Sequence, residues 1–297
     1  MSIFVRLLGC VLLAFGLAGC GPADDPIATR PAGALRIATQ NVHYIDLNKP
    51  TGSWSVADWE ERKPALDQAV GELDADIVAF QEMESFAGGN DGSINLARDW
   101  LLQRHPQYAA GANGDWRSFP STQPIFYRKD RFALIEQGWF FFSDTPDIIY
   151  ARTYDGSYPA FASWVRLQDN VSGKVIAVFN VHFEYKNGSN RLKSAALVAE
   201  RTAPLIANGD RVVLLGDMNA RAGSKTLGIL EDAGFDFLPT SGSTYHLNAG
   251  LNLFGAIDHL ATAGAVLATT PPQVQRRRVR GRWPSDHYAV VGDFHLQ

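Results

Sequence analysis

Cysteine is nearly missing: Cys10 and Cys20 are the only two in 297 residues, and both lie in the first twenty. The body of the chain therefore has no disulfide staples, and a chain this long, burying roughly 75% of its unfolded surface, does not need them. Positive charge is also scarce, with 27 Lys plus Arg against 31 Asp plus Glu and a net charge of −4. Binding of polyanions by whole-molecule charge is excluded, so any such site must be local. There are no internal repeats, low-complexity tracts or second linker, which rules out solenoids and arrays. What remains, 46% hydrophobic, 11% aromatic and 20% charged, is the composition of a globular domain and not of collagen, a disordered tail or a coiled coil.

The N-terminus is built as an export signal. Arg6 supplies the positive start, Leu7 to Leu17 is almost wholly apolar, and Ala18 and Gly19 precede Cys20. That apolar run is well short of the ~20 residues that cross a bilayer. Leu17-Ala-Gly-Cys20 resembles a bacterial lipoprotein signal, in which the cysteine thiol receives a diacylglycerol and becomes the new N-terminus. The expected organisation is a signal peptide over 1–19, a lipidated Cys20 with a flexible tether over 20–33, and one domain over 34–297. The mature protein is expected in the bacterial cell envelope, periplasmic or on the surface, held to a membrane by its lipid. The alternative is an ordinary secretory signal and a secreted protein. Processing at Cys20 removes Arg6, leaving 26 bases against 31 acids and a net charge of −5, and leaves no free thiol. Thiolate zinc sites and cysteine nucleophiles are then excluded.

Periodicity predicts a strand over Leu35 to Val42, a helix over Asp58 to Leu73 opened by a capping box of Asp58 and Glu61, and a buried strand over Asp76 to Met83. A strand-rich middle follows, at Gln123 to Arg128, Phe132 to Phe142, Phe161 to Leu167 and Lys174 to His182. A long helix is expected from Asn190 to Ala207, opened by Ser189 or Asn190, then strands at Arg211 to Asp217, Ile257 to Ala261 and His287 to Phe294. Two face-to-face sheets with helices outside would account for this order.

The polar residues that close these apolar runs are Asn41, Glu82, His182, Asp217 with Asn219, Asp258, and the pair Asp286 and His287. Side chains at strand ends face a shared crevice when the strands lie side by side. Glu82 and Asp217 each follow buried strand directly, where an unpaired carboxylate is costly and a bound cation removes the cost. Oxygen ligands without thiolates favour Mg²⁺, with Mn²⁺ or Ca²⁺ next, over zinc or copper. Each acid alone could equally end its strand in water or cap a helix. His43, His246, His259 and His295 read as ordinary core histidines.

Six blocks together resemble the endonuclease/exonuclease/phosphatase superfamily of metal-dependent phosphoesterases, which includes DNase I. They are Arg36-Ile-Ala-Thr-Gln-Asn41, Asp76-Ile-Val-Ala-Phe-Gln-Glu82, Asn180-Val-His182, Leu215-Gly-Asp-Met-Asn219, Ile257-Asp-His259 and Ser285-Asp-His287. The resemblance implies an α/β fold, a four-layer α/β/β/α sandwich with the site at one edge of the sheets. It also implies roles: Glu82 and Asp286 as the principal Mg²⁺ ligands with Asn41 in support; Asp217 and Asn219 orienting the attacking water; Asp258 fixing the imidazole of His287; and His182 facing the phosphate. One departure stands out: in DNase I relatives a carboxylate partners the first histidine, and here Phe119 to Tyr127 contains no acid.

For the substrate, Gln275-Arg-Arg-Arg-Val-Arg-Gly-Arg282, if extended, places Arg276, Arg278, Arg280 and Arg282 on one face. Arg278 and Arg280 are then candidate contacts to a phosphate backbone, and Arg152 a candidate contact to the phosphate. The alternative is a solvated basic loop, or one touching anionic headgroups. Trp54, Trp59, Trp116 and Trp283 could stack on bases or pack in the core. The expectation is a monomeric, Mg²⁺-dependent phosphodiesterase acting by metal-activated water, with nucleic acid favoured as substrate. The alternatives are a membrane-associated lipid or inositol phosphate hydrolase of sphingomyelinase type, and a noncatalytic envelope binding protein.

Overall fold

The computed structural model describes residues 26–87 and 93–297, so the signal segment and Cys20 lie outside the described residues. One sheet has seven strands: β1 (Leu35–Asn41), β3 (Ile77–Gln81), β5 (Tyr108–Gly111), β6 (Ile125–Arg128), β13 (Val266–Ala268), β14 (Gln273–Val274) and β15 (Val290–Leu296). Their spatial order is β13-β15-β1-β3-β6-β5, with β14 also paired to β15. The other has six: β7 (Phe132–Phe141), β8 (Phe161–Asp169), β9 (Val175–His182), β10 (Arg211–Asp217), β11 (Asp236–Phe237) and β12 (Asp258–Ala263), ordered β11-β12-β10-β9-β8-β7. A short parallel pair, β2 (Ile45–Asp46) and β4 (Ser85–Phe86), stands beside them.

Period-two alternation sets the layers. Ile37, Ile77 and Ile125 of the first sheet pack against Val178, Val213 and Leu260 of the second. The next residues along, Ala38, Val78 and Phe126, point the other way and receive α1 (Val56–Leu73) through Trp59, Leu66 and Val70, and α2 (Leu96–Arg104) through Leu101. The second sheet's outer residues, Phe179, Val212 and Leu214, receive α3 (Gly188–Ala207) through Ala195 and Val198, and α4 (Lys225–Asp232) through Leu227 and Leu230. The result is the expected four-layer sandwich.

Several local expectations change. The cap of α1 is Ser55, whose hydroxyl accepts from Asp58 N–H at 3.1 Å, so Asp58 sits in the first turn and the capping box is not formed. Asn187, not Ser189 or Asn190, caps α3, its side chain accepting from both of their N–H groups. The final strand starts at Val290, leaving Asp286 and His287 in the loop before it. The tether is described only from Pro26, and its end is held to the body. Ala28 N–H donates to Gln273 at 2.7 Å, and Arg30 pairs with Asp76 at 2.5 Å.

The arginine run is not extended. Arg280 (φ 53°) and Gly281 (φ 76°) form a tight turn closed by reciprocal Val279–Arg282 hydrogen bonds of 2.8 and 3.0 Å. Val279 packs on Ala65 and Ala69 of α1, Arg282 pairs with Glu61 at 2.7 Å, and Arg277 with Glu72. Arg276 turns back to the Ser241 and Ser243 carbonyls, while Arg278 lies over Trp283. The loop is a clasp along α1, and its arginines share no face.

Candidate active site

Strand register collects the site at one edge. In parallel pairs, Asn41 lies opposite Gln81 across β1 and β3, and Asp217 opposite His182 across β10 and β9; Asp258 faces Asp217 from antiparallel β12. Asn180 fixes one sheet on the other, donating to Phe80 O at 2.8 Å and accepting from Gln81 Nε2 at 2.6 Å. Just past the strand ends, His43 (φ 61°), Glu82 (φ 54°) and Asn219 (φ 46°) all adopt the left-handed region, a strain that clusters here.

Asp217 is the hub. Asn41 Nδ2 donates to Asp217 Oδ2 at 3.2 Å and to Glu82 Oε1 at 3.1 Å. Asn219 N–H donates to Asp217 Oδ1 at 2.9 Å. The Nε2 atoms of His182 and His287 each stand 3.7 Å from Asp217 Oδ2. On its other side, His287 Nδ1 lies 2.9 Å from Asp258 Oδ2, which assigns the proton between them to the imidazole nitrogen facing the carboxylate. The Phe119 to Tyr127 stretch offers His182 no acid. Besides Asp217 on β10, His182 has Tyr158 Oη at 3.4 Å and Glu82 Oε1 at 3.8 Å.

Electrostatics single out the same atoms. Burial, and then the charge of Asp258, push the Asp217 carboxyl up to about 6 despite the two histidines. Burial alone would push His287 down. Asp258 first and Asp217 next reverse this and hold it well above its ordinary value. Burial likewise opposes ionisation of Asp286, but the His43 hydrogen bond and the His287 charge hold its carboxyl well below the usual range.

A divalent cation fits these residues. Asp217 is buried among other acids, and the buried Asp258 Oδ1 has no hydrogen-bond partner among the described residues. Asp217, Asp258 and His287 offer ligand atoms within 4.8 Å of one another, close enough for one ion. Because the Asp258–His287 hydrogen bond already engages two of those groups, the carboxylates of Glu82 and Asp286, both lining the cleft, are the better holders. Asn41 Oδ1 accepts His43 N–H at 3.1 Å, so Asn41 turns its nitrogen to the acids and supports them as a donor rather than as a ligand.

The structure therefore brings together Asn41, Glu82, His182, Asp217, Asn219, Asp258, Asp286 and His287. It does not bring Arg152, Arg278 or Arg280 to the cleft; Arg152 is exposed and none of the three lines it. His43 and Arg62 are among the residues whose place at the site the sequence did not show. His43 contacts Asp286 at 3.3 Å rather than serving only the core. Arg62, buried on α1, donates to Val42 O, His43 O and Pro284 O at 2.7, 2.6 and 3.2 Å, tying the loop after β1 to the loop that carries Asp286. An arginine on the buried face of a helix was the available signal. His259 and His246 are core residues, whereas His295 is exposed.

The sequence model of the endonuclease/exonuclease/phosphatase family matches residues 38–287, and the chain belongs to that family of phosphoester hydrolases. No curated protein matches it. Among solved structures, an endonuclease/exonuclease/phosphatase from Bacteroides vulgatus shares 22% identity at a TM-score of 0.74, covering 89% of this chain and 99% of its own. A mannosyl-6-phosphatase of Bacteroides thetaiotaomicron shares 23% at 0.71, covering 88% and 100%. TDP2 of D. rerio, complexed with a single-strand DNA product, shares 16% at 0.63, covering 89% and 100%. At these identities the likeness establishes the fold.

Proposed function

We propose that this member of the endonuclease/exonuclease/phosphatase family hydrolyses phosphate esters with Mg²⁺, or with Mn²⁺ or Ca²⁺, held by Glu82 and Asp286. The observation that carries the reading is Asp217, a buried carboxylate set between Asn41, Asn219, His182 and His287. When bound, the cation supplies charge neutralisation to the phosphoryl oxygens and the leaving oxygen. Asp217 accepts a hydrogen bond from the attacking water and directs its lone pair at phosphorus. Asn41 holds Asp217 and Glu82 in register. His287, charged because Asp258 stands behind it, donates to a phosphoryl oxygen, and His182 donates from the second sheet. Arg62 and His43 position Asp286.

Support for a nucleic-acid substrate shrinks once the arginine loop is seen clasped to α1. The neighbours' names point to a sugar phosphatase and to a DNA-acting enzyme, and leave the choice to the cleft itself. We also propose that Cys20 carries the lipid and that the mature chain is a monomer in the cell envelope; the signal-like N-terminus supports the first.

The test is hydrolysis of p-nitrophenyl phosphate and bis-p-nitrophenyl phosphate with Mg²⁺ and with EDTA. We expect turnover that EDTA removes, and a loss of about 10³-fold or more in Asp217→Asn with an unchanged circular dichroism spectrum. Normal turnover in Asp217→Asn would reject the site.

A further inference from the structure

We propose that the cleft beside the acids receives a neutral, hydroxyl-rich leaving group, a sugar or polyol, and that Glu84 and Tyr44 select it. This rests on the phosphoesterase reading and names its substrate class. In the step itself, water oxygen bonds to phosphorus and gives up a proton, the phosphorus–oxygen bond to the sugar breaks with its electron pair leaving on the sugar oxygen, and that oxygen takes up a proton to become a hydroxyl.

The cleft has a volume of about 1140 Å³, room for a sugar phosphate. Among the described residues that line it there is no lysine or arginine, but there are four carboxylates: Glu82, Glu84, Asp217 and Asp286. Lys49, over the Trp54 ring at 5.3 Å, is not part of the lining. Phosphate-backbone binding depends on lysine and arginine, so a polyanion entering here would meet repulsion at every phosphate except the one being cleaved.

Away from the catalytic acids the walls are aromatic. Tyr44 lies 5.2 Å from both Trp54 and Phe86, ring to ring, and Trp116 and Tyr150 add further rings, the Tyr150 hydroxyl donating to Trp116 O at 2.5 Å. Rings of this kind cover the C–H faces of a sugar as well as they cover an alkyl chain. Polar groups decide between the two. Neither the Glu84 carboxylate nor the Tyr44 hydroxyl has a hydrogen-bond partner among the described residues, and both line the cleft without being fully buried. An acceptor and a donor left open among aromatic rings suit hydroxyls. An alkyl leaving group would bury both unpaired, and sites with unpaired polar groups reject such analogues strongly.

The experiment compares kcat/KM for glucose 6-phosphate, n-hexyl phosphate, a single-stranded oligonucleotide and sphingomyelin vesicles, using the mature chain with Mg²⁺. We expect glucose 6-phosphate to be preferred over all three. The ratio of glucose 6-phosphate to hexyl phosphate should fall about ten- to a hundredfold in Glu84→Ala and recover substantially in Glu84→Gln, which still accepts a hydrogen bond. Preference for the oligonucleotide or the vesicles, or an unchanged ratio in Glu84→Ala, would overturn the proposal. Calorimetric titration of Asp217→Asn with glucose 6-phosphate reads binding without turnover. Binding that a second change, Glu84→Ala, weakens about tenfold or more supports the cleft assignment even if wild type cleaves no ester, a result that would reject only the phosphoesterase reading; no binding rejects the cleft.

Discussion

His287 and Asp258 act as one unit, joined by a 2.9 Å hydrogen bond that fixes the imidazole and favours its charge. Asp258→Asn should lower turnover by about 10²- to 10⁴-fold, because the amide no longer fixes the imidazole tautomer or favours its charge. NMR titration of the metal-free protein should show the His287 pKa falling toward the ordinary ~6.5 in that variant. The stability consequence has a definite sign. A histidine whose folded pKa is raised stabilises fully below its unfolded pKa and loses that contribution as pH rises through the folded value. The stability gap between wild type and Asp258→Asn should therefore narrow on the alkaline side in urea titrations; a gap constant with pH would mean the pair carries no linked charge. At this scale the strand-end acids and imidazoles were legible because each interrupts an apolar run. His43, Arg62, Tyr44 and Glu84 were not, since their roles arise only when loops distant in sequence fold over the same edge.

Strand ends are where sequence and structure agree best. The buried runs of β1, β3, β9 and β10 announce themselves by composition, and parallel pairing then brings their C-terminal residues to one edge. The eight-residue α4 and nine-residue α2 escaped notice because two turns offer too few periodic positions: α2 buries only Ala97 and Leu101. The arginine run misled for a related reason. Its period-two spacing suggested a strand, but Arg280-Gly281 turns the chain and the neighbouring acids of α1 take up the charge. Gly216 shows how tightly β10 sets Asp217. Its φ of 133° is one that side chains rarely adopt, and a methyl there would run into the Val181 carbonyl. Gly216→Ala should cost about 3 kcal/mol or more in denaturant unfolding and reduce turnover with it, by shifting Asp217 from His182. Full stability in this variant would show that β10 and β9 approach less closely.

Over the whole molecule, two packed sheets build a rigid edge and a pinned segment leads away from it. Residues 26–33 are held by Gln273, Asp74 and Asp76, so a chain anchored at Cys20 would leave the membrane by only a few residues before meeting the folded body. Cys20→Ser should move the protein from the membrane fraction to the soluble fraction, as read by immunoblot of fractionated cells; unchanged membrane association would remove the lipid reading. The apolar core and the layers were legible from the alternation of strand and helix, whereas the cleft, made by loops from both sheets, was not. The most direct measurement is the anomalous difference map of a crystal soaked in Mn²⁺. The account predicts a peak held jointly by Glu82 and Asp286 beside Asp217. A peak seated instead between Asp258 and His287, or none near these carboxylates, would contradict it.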